Sequence, residues 1–102
     1  MGRRIIIADD HPLFRAALRQ TLSSAGGDTV QEADDLKSLN AALEADRDCD
    51  LVLLDLNMPG AHGFSGLLLL RAQYPDIPVM IISAVEDNTV IRRAFELGAA
   101  GY

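Results

Sequence analysis

The chain has a single cysteine, Cys49, among 102 residues, so no internal disulfide can staple it and Cys49 is expected to be a small core-edge residue rather than a reactive thiol. Long hydrophobic runs are missing too. No apolar stretch approaches the roughly 18 residues that a membrane-crossing helix needs. The opening Met1-Gly2-Arg3-Arg4 and the short apolar run after it lack a signal-peptide pattern. These absences predict a cytoplasmic protein with no membrane contact. Positive charge is scarce: nine Lys and Arg face fifteen Asp and Glu, a net −6 that opposes attraction to a nucleic-acid backbone. Low-complexity stretches and linker-like segments are absent as well. What is present, 49% hydrophobic and 24% charged residues, suits one folded domain with one core.

Short apolar runs alternate with helical periodicity. Ile5-Ile6-Ile7, within Arg4 to Ala8, reads as a strand buried on both faces. Pro12 suits the first turn of a helix reaching about Ser24, with Leu13, Phe14, Ala17, Leu18 and Leu22 at helical spacing and Gly26-Gly27 at its end. Thr29 to Ala33 reads as a second strand, and Asp34 and Asp35 are capping candidates for a helix marked by Leu36, Leu39, Ala42 and Leu43. Leu51 to Leu54 is a third strand, stopped by Asp55, and Phe64 to Tyr74 is helix-like before Pro75. Val79 to Ile82 is a fourth strand closed by Ser83. Asp87 to Leu97 is a fourth helix with Val90, Ile91, Ala94 and Phe95 on one side and Gly98 as its C-terminal cap, and Gly101-Tyr102 starts a fifth strand. Such alternation predicts an α/β fold, a doubly wound parallel sheet built from right-handed βαβ units.

In an open parallel sheet ligands bind beyond the carboxyl ends of the strands. Three apolar strands here end in polar residues: the first at Asp9-Asp10, the third at Asp55 and the fourth at Ser83. Singly, each has an ordinary explanation as a helix cap, a strand terminator or a turn residue. Their coincidence on one rim is harder to explain that way. Crowded carboxylates repel one another unless a cation intervenes, which points to a hard divalent ion with oxygen ligands.

Taken together, Asp9-Asp10-His11-Pro12, Asp55-Leu56-Asn57-Met58-Pro59 with Gly63, Ser83-Ala84 and Gly98-Ala99-Ala100-Gly101-Tyr102 resemble the receiver domain of two-component response regulators, particularly those attached to helix-turn-helix outputs of the LuxR/NarL/FixJ type. The resemblance implies a flavodoxin-like fold of strand order 2-1-3-4-5. It also implies a phosphorylation-dependent signalling switch in which Asp55 takes a phosphoryl group from a sensor histidine kinase with Mg²⁺. By the same resemblance Asp10, Asp55 and the backbone carbonyl of Asn57 would ligate the ion, and Asp9 would hold it through water. Ser83 would contact the phosphoryl group, beside the small Ala84, and Tyr102 would be the switch aromatic. Met58, Pro59 and Gly63 would shape the loop, and His11 would be only a rim residue. The domain would be a phosphoacceptor, not an enzyme on a separate substrate.

The family carries a lysine at the end of its fifth strand, and the chain stops at Tyr102, before that position. The resemblance therefore covers about four-fifths of a receiver. A DNA-binding output domain is expected downstream, so DNA would be reached only through it, and an uncovered fourth strand would allow a homodimer. Rival readings fit less well. A dehalogenase-type phosphatase needs a second Asp where Asn57 stands, and a dinucleotide-binding domain needs a glycine-rich loop where Asp9-Asp10-His11-Pro12 stands. The closer rival is a pseudo-receiver that binds partners without being phosphorylated.

Overall fold

Hydrophobic runs of four or five residues are too short for helices and, where both faces are covered, settle as interior strands. The computed structural model describes residues 3–23, 29–58, 61–82 and 87–102. In chain order the elements are β1 (Arg4–Ala8), α1 (Pro12–Ser23), β2 (Thr29–Ala33), α2 (Leu36–Ala45), β3 (Leu51–Asp55), β4 (Asn57–Met58), β5 (Ala61–His62), α3 (Ser65–Gln73), β6 (Val79–Ile82) and α4 (Asn88–Glu96). The main sheet is parallel, in the order β2-β1-β3-β6. Beyond β6, Gly101 pairs in parallel with Met80, its carbonyl accepting from the Ile81 amide at 3.0 Å while the Ala100 amide donates to Val79. The expected fifth strand thus begins where the sequence places it.

Alternate residues of each strand enter different cores. Ile6, Ala8, Val52, Leu54, Val79 and Ile81 pack with Leu39, Leu43, Leu67, Leu70 and Ala94 from α2, α3 and α4. Ile5, Ile7, Val30 and Leu53 meet the half-buried Leu18 and Leu22 of α1 on the opposite face. Each fully buried Leu or Ile contributes about 1.5–3 kcal/mol relative to exposure. Cys49 is buried, as expected, and its thiol donates to the Leu51 carbonyl at 3.3 Å.

Helix ends follow local chemistry. Asp35 caps α2, accepting from the Ser38 amide at 2.7 Å in a capping box, and Asp87 caps α4 through the Thr89 amide. Gly98 takes φ 103° after α4, with the Gly98 amide donating to Phe95 and the Ala99 amide to Ala94, the paired bonds of a Schellman turn. Three details depart from the sequence reading. Residues 57–62 were expected to be loop, yet Asn57–Met58 and Ala61–His62 pair antiparallel, and Met58 is wholly buried. Phe95 is 50% exposed rather than buried beside Ala94, because the sheet reaches only a narrow stripe of α4. Leu13 and Phe14 are also exposed, since the first turn of α1 projects past the sheet end.

Candidate functional site

Register decides what meets at the sheet rim. Ala8 pairs with both Ala33 and Leu54, so Asp9, one residue on, stands level with Asp55 of the neighbouring strand. The Asp9 amide continues the ladder by donating to the Ala33 carbonyl at 3.0 Å. Asp9 and Asp55 are the buried carboxylates among the described residues, 3% and 5% exposed, while Asp10 turns outward. One ligand atom from each of Asp9, Asp10, His11 and Asp55 falls within 4.8 Å of the others. At such separations two like charges repel by about 3 kcal/mol at an effective dielectric constant near 20.

His11 joins the three acids. Asp9 Oδ1 accepts from the His11 amide at 2.7 Å, an Asx-type turn that swings the imidazole over the carboxylates. Its Nδ1 lies 2.7 Å from Asp9 Oδ1, 3.1 Å from Asp10 Oδ1 and 3.9 Å from Asp55 Oδ2. The bond to Asp9, and then the charges of Asp9 and Asp10, raise the imidazole above its ordinary pKa. The sequence reading left His11 as a rim residue. It is exposed, but its ring belongs to the cluster, and the signal that would have found it is the Asp-x-His spacing of that turn.

Of the other expected site residues, Asn57 opens β4 two positions beyond Asp55. Tyr102 is half-buried against the larger core, directly after the bridge to β6. Ser83, Ala84 and Pro59 lie outside the described residues. Gly63 has φ 58°, a left-handed turn leading into α3.

A cavity of about 680 Å³ opens above the acids, with Pro12, Leu13, Phe14 and Ile82 forming apolar walls. The floor supplies hard oxygen donors with excess negative charge. That set fits an oxygen-preferring cation such as Mg²⁺ or Ca²⁺ better than zinc, which favours thiolate and imidazole ligands. Among the described residues no helix is long and apolar enough to cross a membrane.

Comparison with known proteins adds the following. Residues 5–102 match the response regulator receiver domain family. The chain is 47% identical over 100 residues to the glycerol metabolism activator of Pseudomonas putida, covering 97% of this chain and 45% of that protein. It is 36% identical over 101 residues to the nitrate/nitrite response regulator protein NarP of Escherichia coli, covering 97% and 46%. Among solved structures, the signal receiver domain of the NarL response regulator from Mycobacterium tuberculosis superposes with a TM-score of 0.86 at 35% identity, covering 98% of this chain and 81% of that one. The chain thus spans about half the length of these curated relatives.

Proposed function

Because the chain belongs to the response regulator receiver domain family, we propose that it is a phosphorylation-dependent switch of a two-component system, with Asp55 as the phosphoacceptor. The observation that carries this reading is the buried Asp55 at the end of β3, with Asp9 and Asp10 gathered beside it beneath an open cavity. An Asp55 oxygen attacks the phosphorus of a phosphohistidine on a sensor histidine kinase. The new O–P bond forms as the P–N bond breaks, and the released imidazole takes up a proton. A Mg²⁺ ion held by these residues would supply positive charge against the phosphoryl oxygens. Asp10, Asp55 and the Asn57 carbonyl would hold it, and Asp9 would act through water. The open cavity above the acids leaves room for a cation that keeps part of its hydration shell.

Ser83 then donates its hydroxyl to the phosphoryl group, and Tyr102 changes its packing in response, which alters the surface that partners read. The domain is a phosphoacceptor, not an enzyme acting on a separate substrate. It works in the cytoplasm and controls transcription through a DNA-binding output, in keeping with relatives about twice its length that are named as an activator, a response regulator and a probable transcriptional regulatory protein. A homodimer is the assembly that would suit such an output.

The test is direct. Acetyl phosphate with Mg²⁺ is expected to add one phosphoryl mass, stable in acid and labile in base, and Asp55→Asn is expected to abolish it. Peptide mapping after borohydride reduction locates the group. Labelling on Asp9 or on a serine would overturn the assignment.

A further inference from the structure

Asp9 and Asp10 are joined by one peptide plane, and its orientation decides how both carboxylates face Asp55. The strand ladder holds the amide side of Asp9 but not that plane, since β1 ends at Ala8. Its carbonyl is held from α1, where Arg15 Nη1 donates to the Asp9 oxygen at 2.6 Å. The same guanidinium donates through Nε to Glu32 Oε1 at 3.0 Å, and Arg19 donates to the other Glu32 oxygen at 2.9 Å. Arg15 is mostly buried, its side chain 16% exposed, so the contact is more than a loose surface ion pair. Glu32 lies on β2, opposite Ile7 of β1, which ties the clamp to the sheet.

We infer that Arg15 is a positioning residue for the acidic site: pinned by Glu32, it fixes the Asp9–Asp10 peptide so that the two carboxylates converge with Asp55 on a divalent cation. The inference rests on the cation-binding reading proposed above. Arg15 touches neither the acids' carboxylates nor the cavity, so it acts through the backbone. A planar guanidinium suits the task because one fork reaches a carbonyl and a carboxylate together, whereas a lysine ammonium is a single point. Groups that orient a metal ligand commonly matter about 10- to 100-fold in metal affinity.

The test is calorimetric titration with Mg²⁺ alone, alongside urea unfolding in its absence. Arg15→Ala is expected to weaken Mg²⁺ binding about tenfold or more. Arg15→Lys, which keeps a charged donor at the position, should recover part of the loss, and Glu32→Gln should reproduce part of it. Arg19→Ala removes a Glu32 contact without touching Asp9 and should leave binding within about twofold. In phosphorylation by acetyl phosphate, Arg15→Ala should raise the Mg²⁺ concentration for half-maximal rate while the rate at saturating Mg²⁺ returns. Parental binding in Arg15→Ala, or in Arg15→Lys and Glu32→Gln should the alanine variant not fold, overturns the positioning role alone. Failure of the parent chain to bind Mg²⁺ overturns the site reading and this inference with it.

Discussion

On the sheet face carrying Ile6, Val52, Leu54, Val79 and Ile81, the described residues form a deep core with α2, α3 and α4, whereas the face carrying Ile5, Ile7 and Leu53 meets α1 through half-buried Leu18 and Leu22. The first arrangement is held by apolar burial. Among the described residues the second also carries polar contacts, with Arg15 and Arg19 of α1 gripping Glu32 on β2. The loop bearing Asp9 and Asp10 leads into α1, so the acidic site is supported from the face that α1 covers. A site framed this way keeps its geometry through hydrogen bonds to backbone and carboxylate, and it should respond to different perturbations than the core behind it.

The largest effect that could break this comparison is a truncation on each face. Leu54, 1% exposed, should lose about 3 kcal/mol on replacement by alanine, transfer and cavity terms together. Leu22→Ala should lose about 1 kcal/mol, because its side chain is already partly wet. Urea unfolding of both variants gives the two values, and equal losses would show that the faces are equally packed.

Gly98→Ala sharpens the comparison at the edge of the deep core. The glycine's φ of 103° disfavours a side chain, and an added Cβ would lie 2.9 Å from Arg71 Nε. A loss of about 1–2 kcal/mol is expected in thermal or urea unfolding. Combining it with Arg71→Ala should return only the steric part, since the backbone conformation stays unfavourable. Full recovery would mean that the turn itself imposes no strain.

The smallest effect is a pH dependence confined to the α1 face. Hydrogen bonds from Arg19 first, and then Arg15, hold the Glu32 carboxyl below its ordinary value of 4.5. A group whose folded-state pKa is lowered contributes fully above the unfolded value and loses that contribution as pH falls through the folded one. Glu32→Gln should therefore lower Tm modestly above about pH 4.5, where the ionised Glu32 contributes, and converge on the parent curve as pH falls below that value, which flattens the acid limb. Leu54→Ala should lower the whole curve and leave its shape alone. An unchanged acid limb in Glu32→Gln would mean that the arginine clamp contributes nothing to holding α1.

Much of this could be read from local sequence. Ile5-Ile6-Ile7 and Leu51 to Leu54 are too short and too uniformly apolar to be anything but interior strands here, and Asp35, Asp87 and Gly98 mark helix ends by their own hydrogen-bonding and backbone preferences. The two-residue strands at Asn57–Met58 and Ala61–His62 were not legible, because a pair of residues carries no periodicity. Phe95 was misjudged for a related reason: spacing shows which side of a helix is apolar, but not how much of that side a neighbour covers.

The same division holds at the site. Sequence alone settled that polar residues end the apolar strands, since a buried strand cannot carry an unpaired carboxylate along its length and must release it at an end. Only the tertiary structure decided that Asp9 stands level with Asp55, that the His11 ring folds back over the acids, and that Arg15 reaches the Asp9 carbonyl. Those facts depend on strand register and on where α1 lands against β2, and both are set by packing between segments far apart in the chain, which no local pattern encodes.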